Sequence, residues 1–215
     1  MNQIIDLNSM IDFTLLDPRA TYFDIERLCD IAYKNQYYAV CVNPVNVAFA
    51  RGYIVKNLLG SLKVVSVIGF PLGANSIEVK CFEVKEVIEQ GADEIDFVVN
   101  IGKVKSGDFE YVNKEFSRIR KVAKGRVLKC IVESCYLDEN EIIKLCKLCV
   151  KHKIDYVKTS TGFGIFGVEE DKLSVIIREV SGRCKVKVSG GIKTREQAIK
   201  YANMGVSRIG TSRVL

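Results

Sequence analysis

The sequence predicts an α/β fold, namely a (β/α)8 TIM barrel that forms one domain over residues 1–215, with its eighth helix missing. Short β-branched apolar segments recur eight times, at intervals of roughly 23 to 33 residues. Helical patterns with one charged face lie between them, and this alternation indicates a parallel sheet. A length of 215 residues also suits one domain better than two.

The predicted strands are short and apolar on both faces, as expected for strands covered on the inside and the outside. They lie at Ile11–Leu15, Ala39–Val42, Val64–Ile68, Glu94–Val98, Val127–Val132, Tyr156–Lys158, Cys184–Val188 and Ser207–Ile209.

Three of the predicted helices begin at the capping residues Ser76, Asp138 and Thr194. The helix that starts at Asp138 also ends in basic residues, which suits the helix dipole. The first predicted helix follows Asp17-Pro18, and its apolar residues recur at steps of three and four. The six helices lie at Thr21–Lys34, Ser76–Gln90, Phe109–Ala123, Asp138–His152, Val168–Val180 and Thr194–Asn203.

A closed barrel is favoured over an open sheet, because eight strand–helix units are many for an open doubly wound sheet. The first strand leads into Asp17-Pro18-Arg19, without the GxGxxG of dinucleotide-binding folds. Only five residues follow Gly210, so the eighth helix is absent or supplied by something else. Residues Asn2 to Ser9 could form a short segment over the bottom of the barrel.

The composition argues against nucleic-acid and membrane partners. Lys and Arg number 32 against 26 Asp and Glu, but the lysines are dispersed among acids. The longest apolar stretch, Val64 to Ala74, is too short to cross a membrane. The amino terminus lacks a signal-peptide pattern, which predicts a cytoplasmic protein. The eight cysteines then read as reduced core thiols, including the CxxC pair Cys146 and Cys149.

Two lysines within predicted interior strands are the strongest functional signal. Lys158 and Lys187 are both flanked by valine at a place where an unpaired ammonium is costly. Each could be a structural strut paired with a buried carboxylate. Alternatively, the two amines lie close together and each depresses the pKa of the other, so that a neutral lysine attacks a carbonyl and forms a Schiff base.

Asp96 lies inside the apolar run Ile95 to Val99. It is either the salt-bridge partner of a buried lysine or a general acid/base that moves protons during carbinolamine formation and C–C cleavage.

Glycine-rich strand ends suggest a phosphate site. Ser189-Gly190-Gly191 follows the seventh strand and Gly210-Thr211-Ser212 the eighth, where phosphate sites form in this fold. Glycines let backbone N–H groups approach phosphate oxygens, and Lys193 could add charge. A Gly-Gly pair is also an ordinary turn, so each motif is weak when taken singly.

Several ordered motifs extend over essentially the whole chain. They are Ile11-Asp12-Phe13-Thr14-Leu15-Leu16, Val40-Cys41-Val42-Asn43-Pro44, Val67 to Asn75, Glu78-Val79-Lys80, Gly91 to Asp96, Tyr156 to Gly164, Lys187 to Ile192, and Gly205 to Ser212. Together they resemble the motifs of the deoxyribose-phosphate aldolase family.

The resemblance implies a class I aldolase without a metal or other cofactor, a lyase of deoxyribonucleotide catabolism. Such enzymes reversibly cleave 2-deoxy-D-ribose 5-phosphate into D-glyceraldehyde 3-phosphate and acetaldehyde. By motif, Lys158 resembles the Schiff-base lysine, Lys187 the lysine that tunes it, and Asp96 the proton-relay acid. The substrate-binding positions implied in the same way are Asp12, Thr14, Cys41, Thr161, Gly162, Gly190, Gly191, Lys193, Gly210 and Ser212.

Four departures from the family pattern carry expectations. Phe13 stands where many members have histidine, which would remove a pocket hydrogen bond. Ile165-Phe166-Gly167 is bulkier than the usual loop and would narrow or cover the mouth. Arg213 replaces a common second serine. The family's final helix and tail, which help to close the site, are absent after Leu215.

Two other functions remain open from the sequence. A related Schiff-base aldolase could act on another sugar phosphate, or a truncated barrel could bind sugar phosphate with weak turnover. A barrel without its last helix would expose apolar strand surface, so a homodimer is expected to cover it.

Overall fold

The computed structural model describes residues 6–215, and within them eight parallel strands close into a barrel in chain order, with the last strand pairing with the first. The strands are β1 (Ile11–Leu15), β2 (Ala39–Val42), β3 (Lys63–Ile68), β4 (Glu94–Val98), β5 (Val127–Ile131), β6 (Tyr156–Lys158), β7 (Lys185–Ser189) and β8 (Arg208–Thr211). The predicted (β/α)8 barrel is therefore confirmed, and every predicted strand lies within about one or two residues of an observed one.

Helices surround the barrel and cover the outer faces of its strands. They are α1 (Tyr22–Lys34), α2 (Val47–Lys56), α3 (Ile77–Glu89), α4 (Ile101–Lys105), α5 (Phe109–Val122), α6 (Glu139–Lys151), α7 (Glu170–Val180) and α8 (Arg195–Asn203). Thr21, Asp138 and Thr194 form reciprocal capping boxes, so side chains satisfy the first free N–H groups of three helices.

The helix count refines the expectation about the eighth helix. The described chain holds eight α-helices because two of them, α4 and α5, follow β4. No helix follows β8 within the described residues. Instead, Leu215 packs against the core, and its backbone N–H donates to the hydroxyl of Tyr37 (3.0 Å). Of the predicted amino-terminal segment, residues 2–5 lie outside the described residues, while Asn8–Met10 forms a short 3-10 helix before β1.

The barrel interior is filled in layers contributed by alternate strands, as is usual for this fold. Parallel register places Asp12 beside Ala39 and Gly210, and Lys129 beside Asp96 and Tyr156. Three layers of four follow from this register, from the amino-terminal to the carboxyl end of the strands. The lower layer is Ala39, Glu94, Tyr156 and Arg208, the middle layer Asp12, Val65, Lys129 and Lys187, and the upper layer Cys41, Asp96, Lys158 and Gly210.

The main apolar core lies between the strands and the helices, and Phe13 belongs to it. Its ring packs against Tyr37 with centroids 5.6 Å apart, on the outer side of β1. Among residues 6–215, no helix is both long and apolar enough to cross a membrane.

Candidate active site

A pocket of about 630 Å³ opens at the carboxyl ends of the strands, where sites collect in this fold. Its wall includes Arg19, Phe163 and Arg213. Nine of the predicted site residues also line it: Thr14, Lys158, Thr161, Gly162, Gly190, Gly191, Lys193, Gly210 and Ser212.

The other four predicted residues, Asp12, Cys41, Asp96 and Lys187, lie beneath the floor of this pocket and are fully buried. Lys158 links the two levels, because it lines the pocket although only 3% of its side chain is exposed. The candidate site is therefore one amine that opens into the pocket on top of a fully buried group of charges.

Asp96 holds three buried lysines together. Its Oδ2 lies 3.0 Å from Nζ of Lys158 and 2.9 Å from Nζ of Lys187, while its Oδ1 lies 2.7 Å from Nζ of Lys129. Burial alone would raise the pKa of Asp96, but the attraction of Lys129, Lys187 and Lys158 holds that pKa well below its usual range. Asp96 is consequently a carboxylate, and it orients the two lysines that share its Oδ2.

Lys187 corrects the expectation that the two lysines lower each other's pKa. Its ammonium donates to Asp12 as well as to Asp96. Burial favours the neutral amine, but these two carboxylates outweigh it and raise the pKa of Lys187 above its usual value. Lys187 therefore stays charged, and only the other member of the pair becomes a weaker base.

Lys158 shows the lowered pKa that nucleophilic chemistry requires. Burial is the main cause, and the charge on Lys187 adds to it, whereas the attraction of Asp96 opposes both. Of the buried lysines in the barrel, Lys158 has a single carboxylate contact within the described residues. A neutral amine that faces an open pocket can add to a carbonyl carbon.

The remaining residues around the floor are polar groups with defined partners. Burial opposes ionisation of Asp12, but Lys187, Lys129 and Arg208 lower its pKa to about 2. Thr14 donates its hydroxyl to the backbone oxygen of Asp12 (2.9 Å). Cys41 is fully buried, and burial raises the pKa of its thiol, so it forms a neutral wall.

The loop after β6 is held by Glu133, a residue to which the sequence assigned no role. The Thr161 hydroxyl donates to the Glu133 carboxyl group, and the Thr161 backbone N–H lies 3.2 Å from Oε1 of the same group. Burial raises the pKa of Glu133. Gly164 packs so closely that a Cβ there would press on Cys135 and Glu133.

The opposite end of the pocket has the features expected of an anion site. Gly190 and Gly191 have φ of +94° and +79°, a region that favours glycine. A Cβ on Gly191 would point into open space, so its backbone is accessible from the pocket. The amino terminus of α8, capped by Thr194, follows directly after Lys193, and a helix amino terminus attracts anions.

The structure overturns two expectations about departures from the family pattern. Phe13 points away from the pocket into the outer core, so its aromatic ring removes no pocket hydrogen bond. Ile165 and Phe166 are 65% and 61% exposed and do not line the pocket, so they do not cover its mouth. Phe163 lines the wall instead and packs edge-on against Phe70. Arg213 does lie in the pocket wall, as a cation near the predicted phosphate end.

Sequence reasoning assigned no role to the charged groups below the floor. Lys129 Nζ lies 2.6 Å from Oε2 of Glu94, and Arg208 contacts both Glu94 and Asp12. The alternation of inward-facing residues along the strands marks these positions, but their partners lie on strands that are distant in sequence. Within residues 6–215 no group of three or more His, Cys, Asp or Glu side chains is placed to hold a metal ion.

Comparison with known proteins agrees with this geometry. The family described as DeoC/LacD family aldolase matches residues 4–210. A deoxyribose-phosphate aldolase of Thermococcus gammatolerans is 47% identical over 210 residues, covering 97% of this chain and 93% of the relative. One from Treponema denticola is 46% identical over 211 residues, covering 97% and 96%.

Solved structures show the same similarity. The aldolase QR15 superposes with a TM-score of 0.91 at 39% identity, covering 97% of this chain and 92% of that one. A deoxyribose phosphate aldolase from Aeropyrum pernix, described as a unique tetrameric structure, gives a TM-score of 0.88 at 37% identity, covering 96% and 87%. By sequence and by fold, the chain belongs to the DeoC/LacD family of aldolases.

Proposed function

We propose that the chain is a class I aldolase that reversibly cleaves 2-deoxy-D-ribose 5-phosphate into D-glyceraldehyde 3-phosphate and acetaldehyde. The observation that carries this proposal is Lys158, a buried amine with a lowered pKa that opens into the pocket. The relatives named deoxyribose-phosphate aldolase, which match nearly the whole chain, supply the substrate.

The first step forms the Schiff base. Neutral Lys158 adds to the C1 aldehyde of the open-chain sugar and gives a carbinolamine. Lys187, held as an ammonium 2.9 Å from Asp96, donates a proton to the departing hydroxyl, which leaves as water. The product is an iminium ion on Nζ of Lys158. Asp96 keeps both nitrogens in place, because its Oδ2 contacts them both.

The second step breaks the C2–C3 bond. A base takes the proton of the C3 hydroxyl, the C2–C3 electron pair moves into the iminium, and D-glyceraldehyde 3-phosphate leaves. The resulting enamine takes a proton at C2, and water hydrolyses the iminium to acetaldehyde and free Lys158. We assign proton transfer around Nζ to the linked carboxylate and ammonium groups of Asp96, Lys187 and Asp12.

The phosphate of the substrate is proposed to bind at the glycine-rich end of the pocket. Gly190 and Gly191 present backbone there, Ser212 adds a hydroxyl, and Lys193 and Arg213 add positive charge. An anchored phosphate would hold C1 near Lys158, so this end contributes orientation. The free thiols of all eight cysteines fit a reducing compartment such as the cytoplasm.

Borohydride trapping tests the proposal. The protein is incubated with substrate or acetaldehyde, reduced, digested and mapped by mass spectrometry, and the expected adduct lies on the peptide that contains Lys158. Lys158→Arg is expected to abolish the adduct. Lys193→Met retains the nucleophile and is expected to keep the adduct while raising KM. An adduct only on another lysine, or faster cleavage of a hexose phosphate, contradicts the proposal.

We also propose that the chain forms a homodimer, supported by exposed apolar side chains on α1, on α3 and in the segments after β2 and β3, which include Phe23, Val45, Leu72 and Phe82. Sedimentation at micromolar concentration measures the mass, and a monomer contradicts this proposal. No nucleic acid and no membrane is part of the proposed function.

A further inference from the structure

The lower and middle layers of the barrel contain a network of charged side chains that do not line the pocket. Glu94 accepts contacts from Lys129 (2.6 Å) and Arg208 (3.4 Å) at Oε2, and from the Tyr38 hydroxyl (2.9 Å) at Oε1. The guanidinium of Arg208 also lies 3.5 Å from the centroid of the Tyr38 ring. Neither Glu94 nor Arg208 lines the pocket, and each is at most 5% exposed.

The network reaches Lys158 by two chains of contacts. One leads from Glu94 through Lys129 to Asp96 and so to Lys158. The other leads from Arg208 to Asp12 (2.9 Å), from Asp12 to Lys187, and from Lys187 to Asp96. Within the described residues, Glu94 and Arg208 form no ion pair with Lys158 and are connected to it through other charged groups.

The charges in the network do not balance when all groups are ionised. Four cations share three carboxylates, since the carboxylates that Lys129, Lys158, Lys187 and Arg208 contact within residues 6–215 are those of Asp12, Glu94 and Asp96. The surplus is one positive charge among side chains that are all buried. Of the four cations, Lys158 alone lines the pocket, so the surplus proton leaves most readily from its Nζ.

The other titratable groups that face Lys158 come from β2 and from the end of β5. Cys41 is a neutral thiol at the fully buried wall. Glu133 bonds Thr161 and forms no ion pair within 4 Å among the described residues. The pKa shifts of the three lysines fit this arrangement. Carboxylates outweigh burial and raise the pKa of Lys129 and Lys187. Burial and the charge on Lys187 lower the pKa of Lys158.

We propose that Glu94 and Arg208 are positioning residues of the aldolase reaction, which set, through the charge of the buried network, the fraction of Lys158 present as the neutral amine. This inference rests on the proposed role of Lys158 as the Schiff-base lysine. A buried unit charge acts over several ångströms, because the interior screens it far less than water does.

The test uses charge changes of opposite sign at these two sites. Glu94→Gln removes a negative charge, so it destabilises the cation on Lys158, and the acid limb of the pH profile for kcat/KM shifts down by about one pH unit. Arg208→Met removes a positive charge, so the same limb shifts up by about one unit. The double variant restores the original balance, and its limb returns to within a few tenths of a unit of the wild type.

Two matched controls separate charge from packing. Tyr38→Phe removes the hydrogen bond to Glu94 without changing charge, and Arg208→Lys keeps the charge with a different shape. Both are expected to leave the acid limb in place, even where they lower kcat. The pH dependence of the borohydride trapping rate at Lys158 is expected to move with the limb in every variant.

The outcomes distinguish the two proposals. Absence of a wild-type adduct on Lys158 overturns the proposed function. An adduct on Lys158 with an unmoved limb in both charge-removing variants overturns only the present inference. If either variant fails to fold, titration of 15N-labelled lysines in the wild type decides, with Lys158→Arg used for assignment. Lys158 is expected to lose its proton before Lys129 and Lys187, and any other order overturns the inference.

Discussion

The buried pair between Lys80 and Glu115 allows a quantitative test of how the floor of the site is supported. Both side chains are fully buried, and Nζ of Lys80 lies 2.6 Å from Oε1 of Glu115. The same ammonium donates to the Val98 carbonyl (2.7 Å), and the other oxygen of Glu115 accepts the Asn100 backbone N–H (3.1 Å). The pair therefore ties α3 and α5 to the end of β4, two residues beyond Asp96.

Lys80→Met keeps most of the side-chain volume and removes the charge. Glu115 then retains only the Asn100 N–H, and the Val98 carbonyl loses its donor, so we expect a loss of about 3–5 kcal/mol in the free energy of unfolding. In Lys80→Met/Glu115→Gln this pair no longer carries a charge. The Gln amide offers an oxygen to accept the Asn100 N–H and an NH2 group as a donor for the Val98 carbonyl. The double variant is expected to lie only about 1–2 kcal/mol below the wild type, in line with one impaired hydrogen bond.

Urea unfolding followed by far-ultraviolet circular dichroism measures the loss in the free energy of unfolding for the single and the double variant. With Glu115→Gln added, a double-mutant cycle gives the coupling energy between the two side chains. We expect a coupling of at least about 2 kcal/mol. Burial also raises the pKa of Glu115, so in Lys80→Met this carboxyl should take up a proton as pH falls. The defect should then be smaller at about pH 5 than at pH 8, since a raised acid pKa favours the folded state at low pH. Additive losses without a pH dependence would refute the reasoning.

Three further predictions concern other parts of the molecule. Burial raises the pKa of Asp12, but Lys187, Lys129 and Arg208 outweigh it and lower that pKa from 3.8 to about 2. About 2 kcal/mol of folding stability that is present above about pH 4 should therefore disappear as pH falls through 2. Urea unfolding across pH measures this dependence, and Asp12→Asn should lose it. A Cβ on Gly167 would overlap the carbonyl oxygen of Gly190, so Gly167→Ala should raise KM for the phosphorylated substrate about tenfold in steady-state assays, and an unchanged KM would contradict a phosphate site at that loop. Of the eight cysteines, all of which lie within residues 6–215, Cys135 alone is not buried, so a thiol reagent should label about one thiol per native chain, and peptide mapping should locate the label there.

The strands were predictable because each is a short β-branched run buried on both faces and bounded by turns. The same logic failed for α2, which follows Pro44 and carries Val47, Ile54 and a central Gly52. Its weak periodicity and poor helix formers hide it from a pattern search, although packing against β3 and α1 stabilises it. The five-residue α4 is too short to give a periodic signal.

The residues of the candidate site that lie in or at the ends of predicted strands could be identified from the sequence. Lys158, Lys187 and Asp96 were identifiable because a charged residue within an apolar strand has no other explanation than a partner or a function. Their shared oxygen on Asp96 could not be predicted, and neither could the opposite pKa shifts of the two lysines. These depend on the stagger of the barrel, which decides whether Lys187 also reaches Asp12.

The division of the barrel interior into a charged side and an apolar side connects the fold with the chemistry. Replacing buried ion pairs by apolar side chains is often neutral or stabilising, so stability gives no reason to place seven charged groups inside a barrel. Next to them, Ala39, Cys41, Val65 and Val67 form an apolar cluster on β2 and β3. Cys41 of this cluster faces Lys158. The apolar side thus withholds water from the nucleophile and favours its neutral form. The charged side keeps the Asp96 carboxylate in contact with Nζ of Lys158 and the Lys187 ammonium on the same carboxylate oxygen, oriented before substrate arrives.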